Sequence, residues 1–215
     1  MPKLQHHALE ANQVKIENAA LRVFTRQGYH GTSVREIADE AGISLGNIYN
    51  YYKTKEQIFE SMVQRYDQRM AKLQASTLTP LLGSLDPDNL VLLSKAVREI
   101  VYAHPDYWRL MYIDVVEFGN RHFAHIFRDF SANLKRLSPD AFNQKNGKGE
   151  IDKTVAFTAI YLQFFTYYLV EKLFGGEQHL GMSDDKAIAQ LIRICTAGLG
   201  NGATKNSRTT RRKKK

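Results

Sequence analysis

Apolar residues recur along this chain at α-helical spacing in segment after segment, and a period of two never persists long enough to define a strand. Residues 14–27 place Ile16, Ala19, Ala20, Val23 and Phe24 on one stripe, with Gly28 positioned to end the helix. In residues 34–41 the stripe is Val34, Ile37, Ala38 and Ala41. Thr32 and Ser33 precede it as candidate caps, and Gly42 follows it, tolerating the left-handed backbone that stops a helix. Ser44 can cap a short helix over 45–51, anchored by Ile48 and Tyr52. A long helix beginning after Thr54 presents Ile58, Phe59, Met62, Tyr66, Met70 and Leu73. Turn formers in 76–89, among them Pro80, Gly83 and Pro87, interrupt the pattern, which resumes over 90–103, 105–118 and 120–137. The polar, glycine-bearing stretch 138–150 reads as a mobile loop. Residues 151–174 are apolar on more than one face, Gly175 and Gly176 end that segment, and 183–199 form a last helix capped by Ser183. The pattern predicts an all-α fold.

Residues 32–55 carry the most specific spacing. Two helices joined by one short turn, with Gly42 at the bend and Ile43 beneath it, form a helix-turn-helix. Ile48 and Tyr52 satisfy the core needs of the second helix, which leaves Leu45, Gly46, Asn47, Tyr49, Asn50 and Tyr51 on exposed or half-exposed positions. Hydroxyl and amide groups there can bond phosphate or base edges, and a helix N-terminus attracts phosphate. Gly46 costs the helix about 1 kcal/mol relative to alanine, a cost that is understandable if some other backbone approaches closely. Lys53 and Lys55 stand at the start of the following helix, where the helix dipole disfavours cations and a nearby phosphate would offset the conflict. An αα-hairpin that merely packs is the alternative to a DNA-reading element.

The longer run from Phe24 through Gly28, Tyr29, Gly31, Thr32, Ile37, Ala38, Ala41, Gly42, Ile43 and Ser44, continuing with Gly46, Ile48, Tyr49, Tyr51, Tyr52, Lys55 and Glu56, strongly resembles the TetR family of transcriptional regulators. The motif covers about a quarter of the chain. The resemblance implies a helix-turn-helix DNA-binding domain over 1–53 and a helical effector-binding and dimerisation domain over 54–204. It also implies a homodimer that binds a palindromic double-stranded operator, acts as a repressor, and is released by a small-molecule effector. Thr32, Ser33, Ser44, Leu45, Gly46, Asn47, Tyr49, Asn50, Tyr51, Lys53 and Lys55 are the expected DNA-binding residues, with Gly46, Asn47 and Tyr49 toward the major groove and Thr32, Tyr51 and Lys55 toward phosphates. Leu45 departs from the family, which often has a polar or basic residue there, so no polar base contact is expected from it.

Charge alone does not argue for DNA. Of the net +8, seven charges lie in residues 205–215, a basic stretch without apolar residues that is expected to be disordered. Residues 1–60 balance seven basic against seven acidic side chains, so the argument rests on placement. The single cysteine, Cys195, excludes an intramolecular disulfide and fits a reducing interior. The chain lacks a run of about 18 apolar residues and a signal-like N-terminus, which predicts a cytoplasmic protein with no membrane partner.

The C-terminal region is rich in aromatic residues, mostly core. By resemblance some line an effector pocket, for which Tyr102, Trp108, Tyr112, Phe127, Tyr161, Phe164, Phe165 and Tyr168 are candidates, the effector being hydrophobic or aromatic. The family's dimer bundle assigns the last two helices to subunit contact, through Ala159, Leu162, Thr166 and Leu169 on one and Ile188, Leu191, Ile192, Cys195 and Leu199 on the other. His122 and His125, with Asp114 and Glu117 upstream, are conceivable metal ligands, but histidines three apart are common on solvated helix faces and no metal or other cofactor is assigned. No catalytic motif is present, so an enzyme is not expected, and a dimeric scaffold without specific DNA readout is the second function class.

Overall fold

The computed structural model describes residues 2–142, 151–176 and 179–204. The basic stretch 205–215 and residues 143–150 of the expected loop lie outside the described residues, as does the side chain of Leu199. Among the described residues all regular structure is helical: α1 (Pro2–Gln27), α2 (Val34–Ala41), α3 (Leu45–Tyr49), α4 (Lys55–Thr77), α5 (Pro87–Ala103), α6 (Pro105–Phe118), α7 (Ala124–Arg128), α8 (Phe130–Leu137), α9 (Pro139–Phe142), α10 (Lys153–Phe174) and α11 (Asp184–Thr204), with a 3₁₀ turn at Thr79–Leu81.

Local chemistry explains the boundaries. Ser33 caps α2 in a capping box with Glu36, and Gly42 ends it at φ +62°. The Ser44 side chain accepts from the Asn47 N–H, which starts α3. That helix ends two residues sooner than the spacing predicts, yet the N–H groups of Tyr51 and Tyr52 both return to the Ile48 carbonyl, so a tightened turn still delivers Tyr52 to the core. Asp86 caps α5 and draws its start back to Pro87. The continuous helix expected over 120–137 is broken. Gly119 and Asn120 adopt left-handed φ of 62° and 61°, and the buried Asp114 carboxylate takes the N–H groups of His122 and Phe123, so the chain turns before α7 and α8.

The chain divides into two compact units, Met1–Ala71 with Asp106–Phe127, and Lys72–Pro105 with Arg128–Lys215. This division differs from a border near residue 53, because most of α4 and most of α6 associate with α1–α3. In the first unit Ile16, Ala20, Phe24, Ile37, Ile48, Ile58, Phe59 and Met62 make the core. Within it sits a charge, Glu17, 4% exposed. Its carboxylate accepts from the Tyr52 hydroxyl at 2.7 Å and the Ser61 hydroxyl at 2.7 Å, and pairs with Arg65 at 2.9 Å. Burial is the main cause that pushes the Tyr52 hydroxyl far above its ordinary pKa, and the bond to Glu17 adds to it.

In the second unit α5 packs against α10 and α11. The inward face of α10 carries Phe157, Ile160, Tyr161, Phe164 and Tyr168. Val155, Ala159, Leu162 and Thr166 form an outward stripe on the same helix, with Val155 62% exposed. On α11 the expected contact residues separate: Ile188 and Ile192 are buried within the chain, Leu191 and Cys195 are half-buried, and Ile194 is 65% exposed. The expectation for Ile188 and Ile192 is therefore corrected. At helical spacing they turn inward, and Ile194 belongs to the outward face.

Removing the Glu17 carboxylate leaves Arg65 and Tyr52 without their shared partner, so Glu17→Ala is expected to lower unfolding free energy by about 3 kcal/mol. Urea denaturation checks this, and a loss within error of zero would show that the network does not hold the unit together.

Candidate nucleic-acid interface

The surface around α3 is assembled from short-range constraints. Ile48 is buried, Tyr49 is 41% exposed, Asn50 and Gly46 are exposed, and Leu45, Asn47 and Tyr51 are half-buried. A Cβ added to Gly46 would meet no atom within 4 Å, so nothing inside the protein requires glycine there. The Lys53 amine, exposed, bonds the Tyr49 carbonyl at 3.0 Å. The Asn12 amide donates to the Tyr51 hydroxyl at 2.9 Å, tying the end of the recognition segment to α1.

Three expected DNA residues have internal tasks. The Thr32 side chain is buried and its hydroxyl donates to the Gly28 carbonyl at 2.7 Å, so Thr32 builds the turn before α2 rather than offering a hydroxyl outward. The Lys55 amine donates to the Tyr29 and Thr32 carbonyls at 2.5 and 2.6 Å and lies 4.2 Å from the Tyr29 ring centroid. Burial there holds its pKa below the ordinary lysine value. Lys55 is thus a structural cation, which corrects its assignment to phosphate. The Ser33 hydroxyl is engaged with Glu36 in the capping box. Arg22 and Arg26 pair with Glu40, leaving Arg35 and Lys53 among the exposed cations of this region.

The sequence reading missed the carboxylate that positions this surface. Glu117, near the end of α6, accepts the backbone N–H groups of Tyr29 at 2.8 Å and His30 at 2.6 Å. Gly28, at φ +78°, is required beside it, because an added Cβ would stand 2.8 Å from the Glu117 carboxylate. Tyr29 packs on Phe118 with ring centroids 4.4 Å apart, and on Phe24 and Phe59. The only sequence signal was Glu117 itself, which stood upstream of two histidines. His125 instead pairs with Asp67 at 3.3 Å, so the four-residue metal grouping considered from sequence does not form.

The eight aromatic pocket candidates do not form one group that the structure describes. Trp108, Tyr112 and Phe127 belong to the first unit, and Tyr102, Tyr161, Phe164, Phe165 and Tyr168 to the second. Tyr161 stacks on Phe165 at 6.1 Å and Tyr102 meets Tyr168 edge-on at 6.2 Å. A cavity of about 230 Å³ in the second unit is lined by Leu82, Gly83, Ser84, Leu85, Ala141, Phe142, Lys153 and Phe157, none of them in the expected set. No described helix is long and apolar enough to cross a membrane.

Comparison with known proteins agrees with this geometry. Residues 16–62 match a family model described as bacterial regulatory proteins, tetR family. The chain is 20% identical over 192 residues to the uncharacterized HTH-type transcriptional regulator YvkB of Bacillus subtilis, covering 86% of this chain and 95% of that protein. It is 29% identical over 116 residues to the HTH-type transcriptional repressor SCO4008 of Streptomyces coelicolor, covering 54% of this chain and 56% of that one. Among solved structures it is similar in fold to a TetR-like transcriptional regulator from Rhodococcus sp. RHA1, at 23% identity, covering 88% of this chain and 96% of that one with a TM-score of 0.61.

The capping box gives a pH prediction. Bonds from Gln27 first, then from Ser33, hold the Glu36 carboxyl at about 2, below its ordinary 4.5. A depressed carboxyl contributes stability that is full above the unfolded value and fades as pH falls from 4.5 toward 2. The melting-temperature difference between wild type and Glu36→Gln should therefore shrink across that window, whereas a constant difference would contradict the capping role.

Proposed function

The chain belongs to the TetR family of DNA-binding transcriptional regulators, and from that premise we propose that it works as a homodimer on a palindromic operator, as a repressor that a small molecule releases. The observation that carries the reading is the α3 surface: Gly46, Asn47, Tyr49 and Asn50 turned outward from a short helix whose single buried residue, Ile48, is fixed in the core. Side chains of this type suit base edges and phosphates, and the open space at Gly46 suits a close backbone approach from outside. Lys53 takes the phosphate role, with Ser44 and Tyr51 beside it.

Dimerisation is supported by the outward apolar stripe of α10, Val155, Ala159, Leu162 and Thr166, and by Ile194 on α11. A two-fold pairing would repeat the recognition helix at about 34–36 Å or a multiple of it, matching successive major-groove faces. Repression follows the naming of SCO4008. For the effector, the second unit offers its stacked aromatics and a cavity lined in part by Leu82, Leu85, Phe142 and Phe157, a setting for a hydrophobic molecule.

Selection of bound fragments from random DNA is expected to recover a palindrome. On that site Tyr49→Ala should weaken binding by about 1–3 kcal/mol with the oligomer intact, while Lys53→Ala weakens all sequences alike and flattens the salt dependence. Unchanged operator affinity in Tyr49→Ala would sink the α3 assignment.

The two faces of the C-terminal helices predict different outcomes. Leu162→Glu combined with Ile194→Glu should give a folded monomer, read by sedimentation and circular dichroism, with operator binding lost. Ile188→Glu should unfold the second unit, because it buries a charge without a partner. A double variant that remains dimeric would contradict this interface.

A further inference from the structure

Glu56 and Glu60 lie one turn apart on α4, and His122 lies in the segment after α6, all within the first unit. One ligand atom from each falls within 4.8 Å of the others. The His122 ring is 11% exposed and held between Phe59 and Phe118 at centroid distances of 5.2 and 4.9 Å. Its Nδ1 lies 2.6 Å from Asp114 Oδ1. The other oxygen of that fully buried carboxylate accepts the N–H groups of His122 and Phe123. Nδ1 therefore donates to Asp114, which leaves Nε2 as the ring nitrogen that can offer a lone pair to a cation. Nε2 is buried and has no hydrogen-bond partner among the described residues.

We propose that Glu56, Glu60 and His122 bind a zinc-like divalent transition-metal ion, with Asp114 orienting the imidazole. A histidine donating one ring N–H to a carboxylate and presenting the other nitrogen is the arrangement that fixes a metal-bound imidazole. One imidazole with two carboxylates favours a first-row transition ion over calcium or magnesium, which take oxygen ligands in larger number or keep their water. Two carboxylates one turn apart repel each other, and a dication between them reverses that sign. Metal–ligand bonds of about 2.0–2.2 Å ask the donors to converge on one point, an adjustment open to Glu60, which is exposed, and to Glu56, which is half-buried. The ion competes with Arg121, which pairs with Glu56. It joins the start of α4 to the segment after α6, and the assignment is independent of the operator and effector reading.

The test uses the full-length chain without an affinity tag, stripped by a chelator and titrated with zinc against a chromophoric competitor, with cobalt as a spectroscopic probe. One zinc per chain is expected, with a higher melting temperature when bound. Glu60→Gln should weaken zinc by about tenfold or more without changing the metal-free melting temperature, because Glu60 is exposed. Asp114→Asn should weaken it by a similar factor, whereas Arg121→Gln should tighten it, because the competing cation is gone. Absence of zinc uptake at micromolar concentration would overturn the site. Uptake indifferent to Glu60→Gln would overturn it equally, by placing the ion elsewhere.

Discussion

The pose of the recognition helix depends on a carboxylate sealed inside the first unit. Glu17, on α1, reaches Tyr52 just beyond α3 and Ser61 and Arg65 on α4, so one side chain fixes three segments at once. A buried charge is unfavourable unless its oxygens are occupied, and here hydroxyl donors and a guanidinium occupy them. A short helix such as α3 has too few internal hydrogen bonds to hold itself. Its direction comes from Ile48 below, Ser44 at its start and the anchored Tyr52 after its end.

A second set of carboxylates makes α6 part of the same unit. Glu117 closes the turn at Tyr29 and His30, and Asp114 shapes the bend that follows the helix. Lys55 completes the arrangement from the other side, bonding carbonyls of the turn that Glu117 holds by its N–H groups. The turn before α2 is thus gripped at both ends of its peptide dipoles. A displacement of α6 would be felt there directly, since these bonds are short and charge-assisted.

Much of this was legible in the sequence, and the failures share a physical cause. Helical periodicity located α2 through α6 and the second half of α1, which begins twelve residues before the apolar stripe at residue 14, and the caps at Ser33, Gly42 and Ser44 fell where their chemistry requires. Local signals resolved local structure. Periodicity did not reveal that 120–137 is broken, because the break depends on a buried Asp114 reaching forward eight residues. It could not place Lys55, whose neighbours are carbonyls 23 and 26 residues away. Nor could it separate the faces of α11, where apolar residues occupy both, so Ile188 was paired with a partner chain although it serves its own. Tyr49, Asn50 and Gly46 were legible as an exposed set because a helix with one buried anchor leaves little choice for the rest.

The most direct test of the account is a hydroxyl-radical footprint of the full-length chain on its selected operator, with methylation interference at guanine N7. The account predicts two symmetric protected segments with major-groove contacts centred about 34–36 Å apart, or a multiple of that spacing. A single protected segment, or protection confined to backbone without major-groove interference, would contradict the claim that α3 reads sequence.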